Sequence, residues 1–358
     1  MAAVQGEEIH WLVPNRNPVV AGNRSPRRGE RAAMYTGMIR DLLARLGDGT
    51  VAYSLLLDQQ EVPLNPLIGQ RIAIRFTGER RCIYCGRKVS KLFNHGSCWP
   101  CFQRLAVNDL CQVKPSLCHY ETCREPEWGD ANCMIPTYVY LAKSSDIKVG
   151  ITRRLPGRWV DQGAVEAVPI ARVPTRKMAG DLELYLTQYL PDKTNWRKML
   201  QGEVVATDLL EVRRRVLGLI PEEYRPYVLP DEEMRRITYP LERPPVKVTS
   251  HDLEKGGAEG VLLGIKGSYL VLDSGVLNVP KFAGYLVSFE SGEECAPGAG
   301  LASASAGGTE SRPRSTAASR AKSRSKSATA PEARAKSVSE SQAESRPRSR
   351  ARKRQSDG

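Results

Sequence analysis

Val51, Tyr53, Leu55 and Leu57 fall at alternate positions, as do Ile72, Ile74 and Phe76. Period-two alternation of this kind predicts two half-buried strands on either side of a loop at 63–69. Two short runs at 138–141 and 147–151, joined by Ser144-Ser-Asp146, predict a hairpin, and the apolar run at 168–173 predicts a further buried strand. The spacing then lengthens to the helical period. Met178, Leu182, Tyr185, Leu186 and Tyr189 share one face of a helix over 177–190, and Leu209, Val212, Val216 and Leu219 do so over 208–219. Residues 221–245, rich in Pro and charge, read as a linker or a surface wrap. Short strands are predicted at 261–265, 269–272 and 285–289, with Asp273-Ser-Gly275 as a turn.

The expected class is therefore α+β: a small mixed sheet with flanking helices, an inserted metal module and flanking strands. The expected divisions are a flexible N-terminus at 1–31, a β-rich segment at 32–80 and a Cys-rich module at 81–136. An α/β domain at 137–220, a linker at 221–250, a β segment at 251–290 and a disordered basic tail at 291–358 follow. Charge changes this picture only at the end of the chain. The formal charge is +13, but residues 301–358 hold fourteen Lys/Arg against five Asp/Glu and supply +9 of it. That tail is built from Ser, Ala, Arg, Lys and Pro and has too little apolar surface to offset its ordering entropy. Its Arg346-Pro-Arg-Ser-Arg350-Ala-Arg352-Lys353-Arg354 end suits a non-specific nucleic-acid arm, and equally a solubilising extension. Without a membrane-length apolar run or a secretory leader, the expected setting is the cytosol or nucleoid, with no membrane partner.

Eight of the nine cysteines fall between Cys82 and Cys133, and Cys295 stands alone. Cys82-Ile-Tyr-Cys85, twelve residues, then Cys98-Trp-Pro-Cys101 is the two-knuckle spacing of a tetrahedral structural Zn2+ site. Arg87, Lys88 and Lys91 could balance its negative charge. Cys111, Cys118, Cys123 and Cys133 offer a second, less regular quartet, with His119 as an alternative to Cys118, so one or two zinc ions are expected. Tyr84, Phe93, Trp99 and Phe102 would shield the zinc or stack on bases.

The remaining chemistry lies between Tyr138 and Glu183. Gly150 marks a close approach in the hairpin, Arg158 follows eight residues later, and Glu183 lies roughly 110° from the centre of its helix's apolar face. Asp181 holds the mirror-image boundary, so helical geometry does not choose between them. In Tyr138-Val-Tyr140, Lys148-Val-Gly150, Arg158 and Glu183 the chain resembles the GIY-YIG nuclease superfamily. Over about 35–289 it resembles a bacterial family known only as a domain of unknown function (number 2797), through Cys123-Arg-Glu-Pro-Glu-Trp-Gly129, Arg158-Trp-Val-Asp-Gln-Gly-Ala164 and Asp192-Lys-Thr-Asn-Trp-Arg197.

The superfamily resemblance implies an endonuclease, a metal-dependent phosphodiester hydrolase acting on nucleic acid, DNA before RNA. Tyr140, with Tyr138 beside it, would orient or deprotonate the attacking water. Glu183 would hold Mg2+ or Mn2+, and Arg158 would offset phosphate charge. Lys148 and Arg154 would be secondary cations, and Asn195 could face the cleft. Lys148 stands where many members have a tyrosine. Two other readings stay open: a DNA- or RNA-binding protein on a degenerate nuclease scaffold, and an interaction protein with a modified tail.

Overall fold

The computed structural model describes residues 33–191, 194–245 and 248–294 of the chain. Its strands are β1 (Ala33–Leu46), β2 (Val51–Leu57), β3 (Gln60–Pro63), β4 (Gln70–Arg81), β5 (Lys88–Val89), β6 (Thr137–Lys143), β7 (Ile147–Thr152), β8 (Glu166–Val173), β9 (Arg235–Arg236), β10 (Ala258–Lys266), β11 (Tyr269–Leu272), β12 (Gly275–Asn278) and β13 (Tyr285–Glu294). The α-helices are α1 (Trp99–Arg104), α2 (Pro126–Asn132), α3 (Gly157–Asp161), α4 (Arg176–Leu186), α5 (Trp196–Leu200) and α6 (Leu209–Leu219).

The β-rich stretches at the two ends of the described chain form one sheet, in the order β12-β11-β10-β4-β13-β1-β2-β3, with β5 added to the end of β4. Ile74 lies opposite Ala258 on one side and Phe289 on the other, so β4 is gripped by two strands from the far end of the chain. Ile39, Leu55, Ile72, Ile74, Leu262 and Phe289 are buried together. β1 pairs with β13 through Ala33–Met38 and with β2 from Ile39 onward, and its register shifts between Ile39 and Asp41.

The second sheet runs β7-β6-β8-β9. Every pairing in it is antiparallel, which corrects the mixed sheet expected from sequence. The cause is the connection through α3: it carries the chain past β6, so β7 and β8 run the same way but never touch. Both faces are covered. Val139, Leu141, Val149 and Ile170 pack beneath α4 and α6, while Tyr140, Ala142 and Ala167 join Trp159 in the core of the first sheet. A strand buried on both faces has no reason to alternate, which accounts for the unbroken apolar run in β8.

Thr175 caps α4 by accepting from the Met178 N–H, and Asp208 caps α6 by accepting from the Leu210 N–H, each meeting one donor left over by the first helical turn. The Pro-rich segment after α6 lies along β8, where Leu229 N–H donates to Ile170 O and Ile237 N–H to Val165 O, both at 2.9 Å. Among the described residues no helix is long and apolar enough to cross a membrane. Asp192, Lys193, Cys295 and the tail cations Arg350, Arg352, Lys353 and Arg354 lie outside the described residues, as do the segments 1–32 and 295–358.

Candidate functional site

The first quartet hangs from the end of β4. Cys82 follows the strand directly, and Gly86, at φ +71°, closes the knuckle by donating to Cys82 O at 2.9 Å. That left-handed turn is open to glycine at no steric cost. Cys98 caps α1 and Cys101 lies in its first turn, while Phe102 N–H donates back to Cys98 O at 2.8 Å. The four sulfur atoms lie within 4.8 Å of one another, and Cys85 and Cys98 are 3.6 Å apart. A tetrahedral Zn–S site has sulfur–sulfur edges of roughly 3.8 Å. The cluster could therefore hold a metal ion.

Burial pushes the Cys101 and Cys98 thiols up, and for Cys101 the neighbouring thiols add to it. Cys82 is also opposed by burial, yet the backbone N–H groups of Cys98, Cys85 and Tyr84 bring it down to about 7. Phe93, Trp99 and Phe102 pack on one another at 5.1–5.7 Å beside the cluster, with Trp99 still 49 % exposed and Lys91 over the Phe93 ring. His95 is an exposed turn residue at φ +55°.

The second quartet converges differently. Cys111, Cys118 and Cys133 line one small cavity together with Gln112 and Arg176. The Gln112 amide is 3.8 Å from Cys111 Sγ and 3.6 Å from Cys133 Sγ. Cys123 donates to Glu125 O at 3.4 Å. Among the described residues only the first quartet brings its sulfurs within 4.8 Å of one another. The exposed His119 caps the turn after Cys118.

Around the β6–β7 hairpin, Tyr140 is fully buried. Its hydroxyl donates to Gln162 Oε1 at 3.1 Å, and its ring meets Trp159 edge-on at 6.0 Å. Burial pushes its phenol up; Arg158 pulls the other way, and Glu183 and Asp161 push further. The groups of residues 158 and 183 therefore both act electrostatically on Tyr140. Arg176 belongs to the same neighbourhood: burial lowers its guanidinium's proton affinity, while Cys133, Cys111 and Glu183 raise it.

The close approach at Gly150 is made by this tyrosine. A Cβ there would lie 2.6 Å from Tyr140 Cζ and Oη. Gly150→Ala should lower stability, because overpacking an enclosed ring costs about 1–3 kcal/mol, more than the roughly 0.5–1 kcal/mol gained by removing a strand glycine. A lower urea midpoint at unchanged slope is the expected reading, and a higher midpoint would mean that the ring yields.

Other expected site residues are distributed as follows. Tyr138 lies half-buried beneath Arg172, whose guanidinium is 5.4 Å from the ring centre. Lys148 is buried, at 5 % exposure. Arg154 and Arg158 are exposed. Asn195, which sequence left free to face a cleft, caps α5: its side chain accepts from Lys198 N–H at 3.3 Å. Lys177 pairs with Asp181 at 2.8 Å, while Glu183 is the carboxylate on its helix that acts on Tyr140 and Arg176. Gln162 and Arg176 belong to the neighbourhood yet had not been singled out. Gln162 lies four residues past Arg158, one helical turn away; Arg176 carried no local signal.

A family model described as Protein of unknown function (DUF2797) matches residues 69–287. No curated protein and no solved structure matches the chain.

Proposed function

The chain belongs to the DUF2797 family of unknown function, and within it we propose that this protein holds a structural zinc ion in Cys82, Cys85, Cys98 and Cys101 and hydrolyses nucleic-acid phosphodiesters beside the β6–β7 hairpin. The observation that carries the hydrolytic reading is the nearness of Arg158 and Glu183 to the Tyr140 phenol, on which both act, with the ring laid against Gly150. The reading takes its roles from the resemblance of Tyr138-Val-Tyr140, Lys148-Val-Gly150, Arg158 and Glu183 to the GIY-YIG superfamily, which implies that these residues share a site.

Arg158 is exposed and can meet a phosphate oxygen with a charge-assisted hydrogen bond. Glu183 offers one hard carboxylate, a donor set that fits Mg2+ or Mn2+, since such ions are often held by one or two carboxylates plus substrate phosphate and water. The ion would supply charge to the leaving oxygen. Tyr140 keeps its proton at neutral pH because burial raises its phenol. Its role is to orient through Gln162, and it does not remove a proton. The half-exposed Trp99, with Lys91 beside Phe93, supports contact with bases and backbone near the zinc.

Burial of Tyr140 also favours a second reading, in which nucleic acid is bound without being cut. The two separate cleanly. Cleavage of single-stranded, duplex and branched DNA and RNA is followed with Mg2+ or Mn2+, beside salt-dependent binding to the same substrates. Glu183→Gln should reduce cleavage by about 100-fold or more while binding persists. Binding without cleavage by the wild-type chain would establish the second reading, and absence of both would remove both.

A further inference from the structure

The region from Cys111 to Cys133 is tied to α1, where Arg124 donates to Phe102 O at 3.2 Å and to Gln103 O at 2.8 Å, but its contacts do not end there. It docks on the second sheet's helix. The turn Pro115–Leu117 presses against α4 where Gly180 leaves room: a Cβ there would lie 2.5 Å from Pro115 Cβ and 2.9 Å from Ser116 N. Arg176, in the first turn of α4, donates to Cys111 O and Gln112 O, both at 2.9 Å, and its own N–H donates to Cys133 O at 2.8 Å. Cys111, Cys118 and Cys133 thus meet at the foot of the helix that carries Glu183.

Three features of this place point to a cation. The cavity the three thiols line measures about 10 Å3, room for one water-sized occupant at most. The Gln112 amide reaches both Cys111 Sγ, at 3.8 Å, and Cys133 Sγ, at 3.6 Å, so these two sulfurs face one donor. Two half-buried guanidinium groups flank the cluster: Arg176, and Arg153, which donates to Asn132 O and Oδ1 at 3.1 and 3.0 Å just ahead of Cys133. Guanidinium groups beside neutral thiols gain little, but beside four thiolates around a dication, net charge about −2, they are well matched.

We propose that Cys111, Cys118 and Cys133, with Cys123 turning from Glu125 O to complete the tetrahedron, form a second structural zinc site that braces the first turn of α4. No three of these sulfurs lie within 4.8 Å of one another, so the side chains must rotate inward together, Cys123 away from Glu125 O. Zinc uptake releases the thiol protons as the four S–Zn bonds form, and no electron is transferred. The brace works because the 110–123 segment is a string of short turns, with Leu110, Val113 and Leu117 exposed. It has too little apolar burial to hold itself against α4.

The test is zinc content, measured by plasma mass spectrometry on the full-length chain purified without chelator. Two zinc ions per wild-type chain are expected, one in Cys118→Ser, one in Cys98→Ser and none in the double variant. If a variant fails to fold, wild-type protein alone decides. Its cysteines are alkylated with iodoacetamide before and after zinc is stripped, and each is read by peptide mass spectrometry. Protection of Cys111, Cys118, Cys123 and Cys133 that disappears on stripping supports the site. A single zinc per wild-type chain, unaffected by Cys118→Ser, overturns it, as does alkylation of Cys118 and Cys123 at equal rates with and without zinc.

Discussion

Cys98→Ser should cost the protein its first zinc ion and unfold residues 82–104 while both sheets stay folded. The division follows from where apolar surface is buried. Cys82, Cys98 and Cys101 form their own small cluster, supported only by half-buried Tyr84, Val89 and Leu105. A group this size cannot outweigh the roughly 1–2 kcal/mol per residue of backbone entropy that its ordering costs. In zinc-finger peptides, binding of a structural ion is worth about 10–16 kcal/mol, and that binding energy is the folding energy. Removing one thiolate forfeits much of it. The main core has no cysteine in it and is built from strands at both ends of the chain, so it should persist.

Limited proteolysis should therefore cut the variant within 83–104 and leave a resistant remainder. Far-ultraviolet circular dichroism should change little. Chelator treatment of the wild-type chain should give the same cleavage pattern. Undiminished zinc in Cys98→Ser, or a wild-type chain purified folded and zinc-free, would contradict the assignment. The buried Asn108 marks the limit of the damage. It donates to Cys101 O at 3.2 Å and accepts from Ser97 Oγ at 3.1 Å and Asn94 Nδ2 at 2.7 Å, so it is the joint between the knuckle and the chain that follows.

Local signals made some parts legible in sequence. The β6–β7 hairpin has adjacent strands and a short turn, and the first quartet has a spacing imposed by metal geometry. β1 was not legible. It buries Gly37, Met38 and Ile39 in succession and then Leu42, Leu43 and Ala44, because it changes partner and shifts register at Asp41. No period of two survives such a bulge. The union of β4 with β10 and β13 was equally hidden, since pairing across some 180 residues leaves no mark on either segment.

At the candidate site, the partner of Asp181 was in fact legible. Lys177 stands four residues before Asp181, the separation at which helical side chains meet, so it takes Asp181 and leaves Glu183 for other partners. The separateness of the two cysteine groups could not be read. It depends on Gly180 accepting Pro115, a contact between segments that sequence assigned to different domains.

Asp41→Asn should stabilise the protein at pH 8 and do progressively less toward pH 5. Asp41 sits at the β1 bulge, with its Oδ1 accepting from Leu42 N–H at 2.8 Å. Burial, and then the Asp161 carboxylate at the end of α3, push its carboxyl up to about 7, against the pull of Leu42 N–H. A carboxyl raised in the folded state holds its proton while the unfolded chain has already released it. Stability is therefore fully retained below the unfolded value near 4 and falls as pH rises toward 7.

Between pH 5 and 8 the loss amounts to roughly 2–3 kcal/mol, from about 1.4 kcal/mol per unit over the part of the shift that interval spans. Asparagine keeps the acceptor for Leu42 N–H and cannot ionise, so the variant should escape this loss. Urea unfolding of both proteins at pH 5 and 8 gives the answer as a difference of differences, in which every titrating group that does not interact with Asp41 cancels. A gap that is the same at both pH values would show that Asp41 ionises as freely in the folded chain as in the unfolded one. The repulsion falls where α3 meets β1, and α3 also carries Arg158. The predicted pH dependence of stability is thus located at the support of the guanidinium on which the phosphate reading depends.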